Sequence, residues 1–328
     1  MRAAFYDRTG PAREVLQFAD GPDPVAGAGE VRVRLRWSGV NPSDVKSRGG
    51  VRSKVMPFPR VVPHSDGMGV IDAVGSGVAE ARVGERVWVW NAAWGRANGT
   101  AAQSVVLPER QAVALPANVA DEAGACLGIP ALTALHAVLA GGGVAGRNVL
   151  VAGGAGAVGH YAIQFARLLG ARRVLATVSS AKKAEIARAA GADSVFDYRS
   201  EDVVARVRQA TQRHGVDRII EVDAAANAAL DLEIVHPGGE IVVYGSGASQ
   251  VGLPFFPLIV KNVSLMFFIV YNLADADRQR ALATLAGFLE RGALTHAIAE
   301  RLPLERIAEA HERVERGEAI GNVVLEIP

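Results

Sequence analysis

Apolar and polar residues alternate along Val31-Arg32-Val33-Arg34-Leu35-Arg36-Trp37, the period-two pattern of a strand with one buried face. Up to about residue 122 the chain keeps this texture, with short β runs separated by turns such as Gly27-Ala28-Gly29 and Asn41-Pro42. From Pro130 the period changes. Leu132 to Leu139 is helical in spacing, and Asn148 to Ala152 is an apolar strand that runs into Gly153-Gly154-Ala155-Gly156-Ala157-Val158-Gly159 and then a second apolar-periodic helix. Further strands are expected at Arg173 to Val178, Ser194 to Tyr198, Val216 to Val222 and Glu240 to Gly245, with helices between them. Strands alternating with helices predict a doubly wound parallel sheet, so the fold class is α/β with a mainly β first part. Val263 to Tyr271 is an apolar strand followed by a helix from about Asp275 to Arg291. An apolar edge strand invites pairing with another chain, so the segment 263–271 is the expected seam of a homodimer, burial within the same chain being the alternative.

Gly154, Gly156 and Gly159 stand at G-x-G-x-x-G spacing between a strand and a helix, where missing side chains let backbone N–H groups approach a pyrophosphate. Turns specific for NAD place an Asp or Glu about twenty residues further on, at the end of the second strand, to bind the ribose 2′-hydroxyl. Here that place reads Thr177-Val178-Ser179-Ser180-Ala181-Lys182-Lys183 and has no carboxylate. Small hydroxyls with Lys182 or Lys183 suit a 2′-phosphate, which favours NADPH; the same lysines can also simply solvate the start of the next helix. Tyr198 and Arg199, after the third strand, flank the same phosphate or end a strand.

Composition narrows the class. With 328 residues and 50% hydrophobic content the chain can fill two lobes. Lys and Arg total 35 against 34 Asp and Glu, a net charge of +1 without a dense basic stripe, so nucleic acid is not an expected partner. The single cysteine, Cys126, rules out an internal disulfide and a multi-cysteine zinc cage and reads as a small buried apolar residue. No uncharged run reaches membrane-spanning length, and the start of the chain alternates like a strand, so no membrane association is expected and the expected location is cytoplasmic.

From end to end the chain resembles the medium-chain dehydrogenase/reductase superfamily and, within it, the zinc-free zeta-crystallin-like quinone oxidoreductases. The resemblance is carried by Gly39-Val40-Asn41-Pro42-Ser43-Asp44-Val45-Lys46, Ser65-Asp66-Gly67-Met68-Gly69-Val70-Ile71, Val83-Gly84-Glu85-Arg86-Val87, Gly128-Ile129-Pro130-Ala131-Leu132-Thr133-Ala134, the glycine turn and Gly321-Asn322-Val323-Val324-Leu325. It implies a GroES-like β domain over residues 1–122 and 271–328, a Rossmann domain over 123–270, an active site in the cleft between them, and NADPH as reductant. By similarity Asn41 lies beside the nicotinamide ribose and substrate. Lys46 takes the place of a lysine in alkenal-reducing relatives, where an ammonium stabilises an enolate oxygen; a solvated surface lysine is the alternative. Asp44 either orients these residues or caps a helix. Ala155, Gly156, Ala157 and Val158 are implied at the pyrophosphate and Thr133 near the nicotinamide, with Gly245, Ser246, Phe268, Ile269 and Val270 along the other side of the ring. Ser179, Lys183 and Tyr198 complete the cofactor set.

Zinc-using relatives place a cysteine near Asn41 and a histidine-glutamate pair near Ser65-Asp66, and neither is present; His64 is one position off the histidine register. No metal is therefore expected. The expected reaction is hydride transfer from NADPH to a quinone or an α,β-unsaturated carbonyl compound, an enone, either of which delocalises the charge it gains without a Lewis acid. A non-catalytic NADPH-binding protein of the same fold and an enoyl-thioester reductase are the alternatives.

Overall fold

In the computed structural model, which describes residues 1–328, the chain divides into two units, Met1–Pro130 with Leu289–Pro328, and Ala131–Phe288. The first unit opens with β1 (Arg2–Phe5), antiparallel to β2 (Gln17–Asp20). The alternating run becomes β3 (Glu30–Val40), with Val31, Val33 and Leu35 buried and Arg34 and Arg36 exposed. Next come β4 (Asp66–Val74), β5 (Arg86–Val89), β6 (Ser104–Pro108) and β7 (Ala112–Ala114). β3 is long enough to serve two neighbours: it pairs antiparallel with β4 along most of its length and with β6 over Glu30–Arg34. The apolar face of this sheet packs Val33, Leu35, Ile71, Val87 and Val105 into one core.

The second unit holds β8 (Asn148–Val151), β9 (Arg173–Val178), β10 (Ser194–Asp197), β11 (Val216–Glu221), β12 (Val235–Val243) and β13 (Ser264–Phe267), all parallel, in the order β10-β9-β8-β11-β12-β13. Helices Ala157–Leu168, Ala181–Ala189, Val203–Ala210, Ala224–Ile234 and Phe255–Lys261 make the crossovers. Strand order reverses between β8 and β11, the place at which open parallel sheets bind ligands beyond their carboxyl ends.

Two boundaries differ from the expected ones. The strand anticipated over 263–271 stops at Phe267, since Phe268 donates one last ladder bond to the Val243 carbonyl (3.1 Å) and Val270–Asn272 then turns to bury Val270 and Tyr271. The helix Asp275–Glu290 stays with the second unit as far as Phe288: the Arg278 guanidinium donates to the Val270 and Tyr271 carbonyls, and Phe288 stacks on Phe165 at 5.8 Å. The crossovers between units consequently fall at 130/131 and 288/289 instead of 122/123 and 270/271.

After its return the chain adds β14 (Ile298–Pro303) and β15 (Asn322–Glu326) to the first sheet. β15 lies antiparallel to Trp37–Val40 of β3, giving the order β14-β15-β3-β4-β5-β7, with β6 on β3. Asn322 is buried and donates through Nδ2 to the Ala297 carbonyl at 3.0 Å, so this residue closes the sheet.

Candidate functional site

In the second unit each glycine of the turn meets a different steric demand. A Cβ on Gly154 would lie 2.7 Å from Ala176 Cβ and 2.9 Å from Ile163 Cδ1, and one on Gly159 would lie 2.3 Å from the Gly153 carbonyl oxygen. These two glycines let strand and helix pack. A Cβ on Gly156 would meet only the Gly153 oxygen, at 3.3 Å, and the residue is exposed. Its missing side chain leaves space on the solvent side, as the approach of a pyrophosphate requires. Helix Ala157–Leu168 has Gly156 at its N-cap and no side-chain cap, so the first-turn N–H groups of Ala157 and Val158 face this space at the positive end of the helix. The loop is held from below by Gly154 N–H donating to the Thr177 carbonyl (2.9 Å) and Gly153 N–H to Thr177 Oγ1 (3.3 Å).

At the carboxyl end of β9 the structure brings Ser179, Ser180 and Lys183 together. Ser180 caps helix Ala181–Ala189 by accepting from Lys183 N–H, and Lys183 Nζ donates to Ser179 Oγ at 3.1 Å. Lys183 is thus half-buried and folded back over the strand end, whereas Lys182 is exposed. Tyr198, just past the neighbouring β10, is tied to the Val178 carbonyl through its N–H at 3.0 Å, with its ring exposed. Gly245 and Ser246 follow β12. A Cβ at Gly245 would lie 2.3 Å from the Val222 oxygen, and Asp223, which caps helix Ala224–Ile234, also accepts from Gly247 N–H at 2.7 Å. Phe268 meets the His136 ring edge-on at 4.6 Å, and His136 lies one turn beyond the buried Thr133 on helix Leu132–Leu139. Every cofactor residue named from the sequence except Asn41 therefore belongs to this unit, and the loops that carry them follow the carboxyl ends of its strands or, for Thr133, the helix in contact with Phe268.

Asn41 and Lys46 lie in the first unit. Asn41 is buried at the N-cap of helix Pro42–Arg48. Its backbone N–H donates to Asp44 Oδ2 at 2.9 Å and its Nδ2 to Asp66 Oδ2 at 2.9 Å, so two carboxyl groups fix one amide. Asp44 therefore both starts the helix and orients Asn41. Asp66 Oδ2 accepts a second bond, from Ile129 N–H at 3.0 Å, while a Cβ on Gly128 would come within 2.3 Å of Asp66 Oδ1. Burial pushes the Asp44 carboxyl up to about 7 and Asp66 well above its ordinary value. Lys46 is half-buried on the helix that Asn41 begins. Asp66 is the residue that the sequence reading passed over; the Ser65-Asp66 pair at a family motif position was its signal.

His64 is fully buried at φ 76°. Its Nδ1 is 2.8 Å from Ser38 Oγ and its Nε2 2.9 Å from His311 Nε2. Burial lowers His64 to about 3 and His311 well below its ordinary value, so both rings stay neutral near pH 7 and serve as a core hydrogen-bond chain. Trp88 and Trp90 are likewise buried and belong to the core, while Trp94 is partly exposed.

The residues around Asn41 do not suit zinc. Asn41 turns an N–H donor toward Asp66, the Asp66 oxygen facing it already accepts two bonds, and no thiolate or imidazole completes a ligand set there.

Residues 27–117 match the alcohol dehydrogenase GroES-like domain and residues 157–287 the zinc-binding dehydrogenase domain. Together they define a medium-chain dehydrogenase/reductase. Quinone oxidoreductase from Homo sapiens is 31% identical over 99% of this chain and 97% of its own length. The chain belongs to the quinone oxidoreductase family. Among solved structures, a protein named NAD-dependent alcohol dehydrogenase is 33% identical with TM-score 0.91, covering 100% of both chains. A mycobacterial protein solved in complex with NADPH is 29% identical with TM-score 0.87, covering 99% of this chain and 100% of its own.

The buried carboxyl groups give stability a definite pH dependence. Between 3.8 and about 7, folded Asp44 keeps a proton that the unfolded chain releases, so its contribution is full below about pH 4 and is lost as pH rises toward 7. The thermal midpoint is expected to fall over this window and to fall less steeply in Asp44→Asn, which keeps an acceptor for Asn41 N–H. Equal slopes for the two proteins, in scanning calorimetry at matched ionic strength, count against the assignment.

Proposed function

We propose that this protein is an NADPH-dependent oxidoreductase that reduces quinones or α,β-unsaturated carbonyl compounds without a metal. The observation that carries the coenzyme assignment is the end of β9. No carboxylate stands there to repel a 2′-phosphate, and Lys183 is held against Ser179 where that phosphate would sit. The open side of Gly156 and the uncapped helix start at Ala157 and Val158 suit the pyrophosphate. Family membership supports the acceptor class.

When bound, NADPH supplies the hydride. Ala155, Gly156, Ala157 and Val158 bind its pyrophosphate, Ser179, Lys183 and Tyr198 its 2′-phosphate end, and Thr133, Gly245, Ser246, Phe268, Ile269 and Val270 its nicotinamide end. Asn41, locked by Asp44 and Asp66, offers a fixed polar edge to nicotinamide ribose and substrate. Lys46 places an ammonium toward the carbonyl oxygen of the acceptor, where negative charge collects as hydride reaches the conjugated carbon. The proton that completes reduction comes from solvent, since His64 and His311 are buried and neutral.

The purified chain should oxidise NADPH with 1,4-benzoquinone or a short alkenal faster than it oxidises NADH. Lys183→Glu should raise the KM for NADPH about tenfold or more, the scale of one lost charge-assisted hydrogen bond, and leave NADH within about twofold. Equal losses for both coenzymes would overturn the phosphate assignment, and NADPH binding without turnover of any acceptor would leave a binding protein only.

Lys46→Met should lower kcat for an enone by about a hundredfold, comparable to losing one oxyanion donor, with the KM for NADPH unchanged. Unaltered enone turnover removes Lys46 from the mechanism.

The assembly we propose is a cytoplasmic homodimer seamed along β13. That strand ends the sheet order, and Phe267 on it is 57% exposed; Phe255, Phe256 and Val260 on the helix just before it are also exposed. Light scattering should give twice the chain mass, and Phe267→Asp should shift it to monomer; a monomeric parent protein at micromolar concentration defeats the proposal.

A further inference from the structure

The far rim of the second sheet carries a cluster that hydride chemistry does not use. His214, Asp217 and His236 place one ligand atom each within 4.8 Å of one another. Three different stretches supply them: the turn before β11, the first turn-facing residues of β11, and the second residue of β12. Their meeting follows from the pairing of Val216 with Val235, which sets His214 and His236 side by side, with rings stacked 4.0 Å apart and 16° from parallel. A Cβ on Gly215 would lie 2.6 Å from the Ile234 carbonyl oxygen, so only glycine permits this approach. Asp217 Oδ1 is 2.9 Å from His214 Nε2, and its Oδ2 accepts from Asn148 N–H at 2.7 Å.

We propose that His214, Asp217 and His236 form a binding site for a divalent transition ion, Zn²⁺ or a close relative such as Co²⁺ or Ni²⁺. Two imidazoles and one carboxylate form a donor set of this class; Mg²⁺ and Ca²⁺ prefer oxygen alone. Bonds of about 2.1 Å put ligand atoms about 3 to 3.5 Å apart, which rotation of these partly exposed side chains provides. Binding puts the ion in place of the proton between His214 Nε2 and Asp217 Oδ1, the imidazole then carrying its N–H on Nδ1, while the Asn148 N–H continues to hold the second carboxylate oxygen. Two helix ends add a contribution of the right sign. Helix Val203–Ala210 ends shortly before His214 and helix Ala224–Ile234 directly before Val235, so two helix carboxyl ends, which favour cations, lie at this rim. Gly154 lies six residues beyond Asn148, past the far end of β8 and roughly 20 Å away at strand rise, so the ion fastens β11 to β12 and takes no part in hydride transfer.

Tag-free full-length protein, freed of metal with a chelator, should bind ZnCl₂ at one equivalent in calorimetry and develop Co²⁺ absorption bands that Zn²⁺ displaces. At a hundredfold excess over Kd the thermal midpoint should rise by about 3–5 °C. His214→Gln and His236→Gln should each weaken binding by at least about tenfold, because even loss of an outer-shell partner costs that much. Both variants should keep parental NADPH oxidation without added metal, which separates a failure here from a failure of the proposed reaction. Binding that does not saturate, or that survives in the double variant, overturns the site.

Discussion

The second unit depends on a steric requirement at two glycines. Gly154 must let the chain leaving β8 pass against Ala176 and Ile163, and Gly159 must let a helix start within contact distance of the Gly153 carbonyl. A methyl group at either position would push helix from strand, and the helix N-terminus would no longer point at the space beside Gly156. Everything else at that rim is measured from this turn: the Ser179–Lys183 pair lies on the adjacent strand end, Tyr198 one strand further, and Gly245 across the reversal of strand order. At the proposed pyrophosphate site backbone groups would do most of the binding, so the side chains of Ala155, Ala157 and Val158 need little chemistry of their own.

The first unit solves a different problem, that of holding one amide still. Burying two carboxyl groups is costly because both lose water, and the cost appears as the upward displacement of Asp44 and Asp66. A carboxyl that remains protonated avoids most of this cost and can still accept a hydrogen bond. Asn41 donates from its backbone and from its side chain to carboxyl oxygens on separate elements, the helix it starts and the strand β4. Such double anchoring gives a polar group fixed geometry before any ligand arrives, and preorganisation of that kind is worth more at a reacting centre than an extra flexible donor.

How much of this could be read in the residues depended on how local each feature is. The glycine turn, the serine-lysine stretch after the second strand and the Asn41-to-Asp44 helix start are all short-range patterns, and each had its own signal in the chain. Asp66 was harder: its importance comes from being buried against Asn41 and Ile129, partners 25 and 63 positions away. The unit boundary near Phe288 also escaped, because helix Asp275–Glu290 is assigned by Arg278 and Phe288 meeting partners upstream, a tertiary fact. The apolar run at 263–271 was recognised as a strand yet overextended, since apolarity does not distinguish ladder pairing in Ser264–Phe267 from simple burial of Val270 and Tyr271.

A parallel sheet with antiparallel crossover helices is electrically polarised, and both rims of this unit follow from that. Helices start beyond the carboxyl ends of the strands, so their N–H groups gather where Gly156 leaves room, and that rim favours phosphate. The helices end at the opposite rim, where their carbonyls favour positive charge, and there the strand pairing has collected two imidazoles and a carboxylate. The same chain reversals that favour an anion at one edge thus favour a cation at the other. Arg218 shows this demand already being met nearby: fully buried in β11, its guanidinium donates to the carbonyls of Ala137 and Ala140, at the end of helix Leu132–Leu139, and pairs with Glu240. Positive charge at this rim already takes the form of an arginine in β11, between β8 and β12, and the proposed ion would add to it beside His214 and His236.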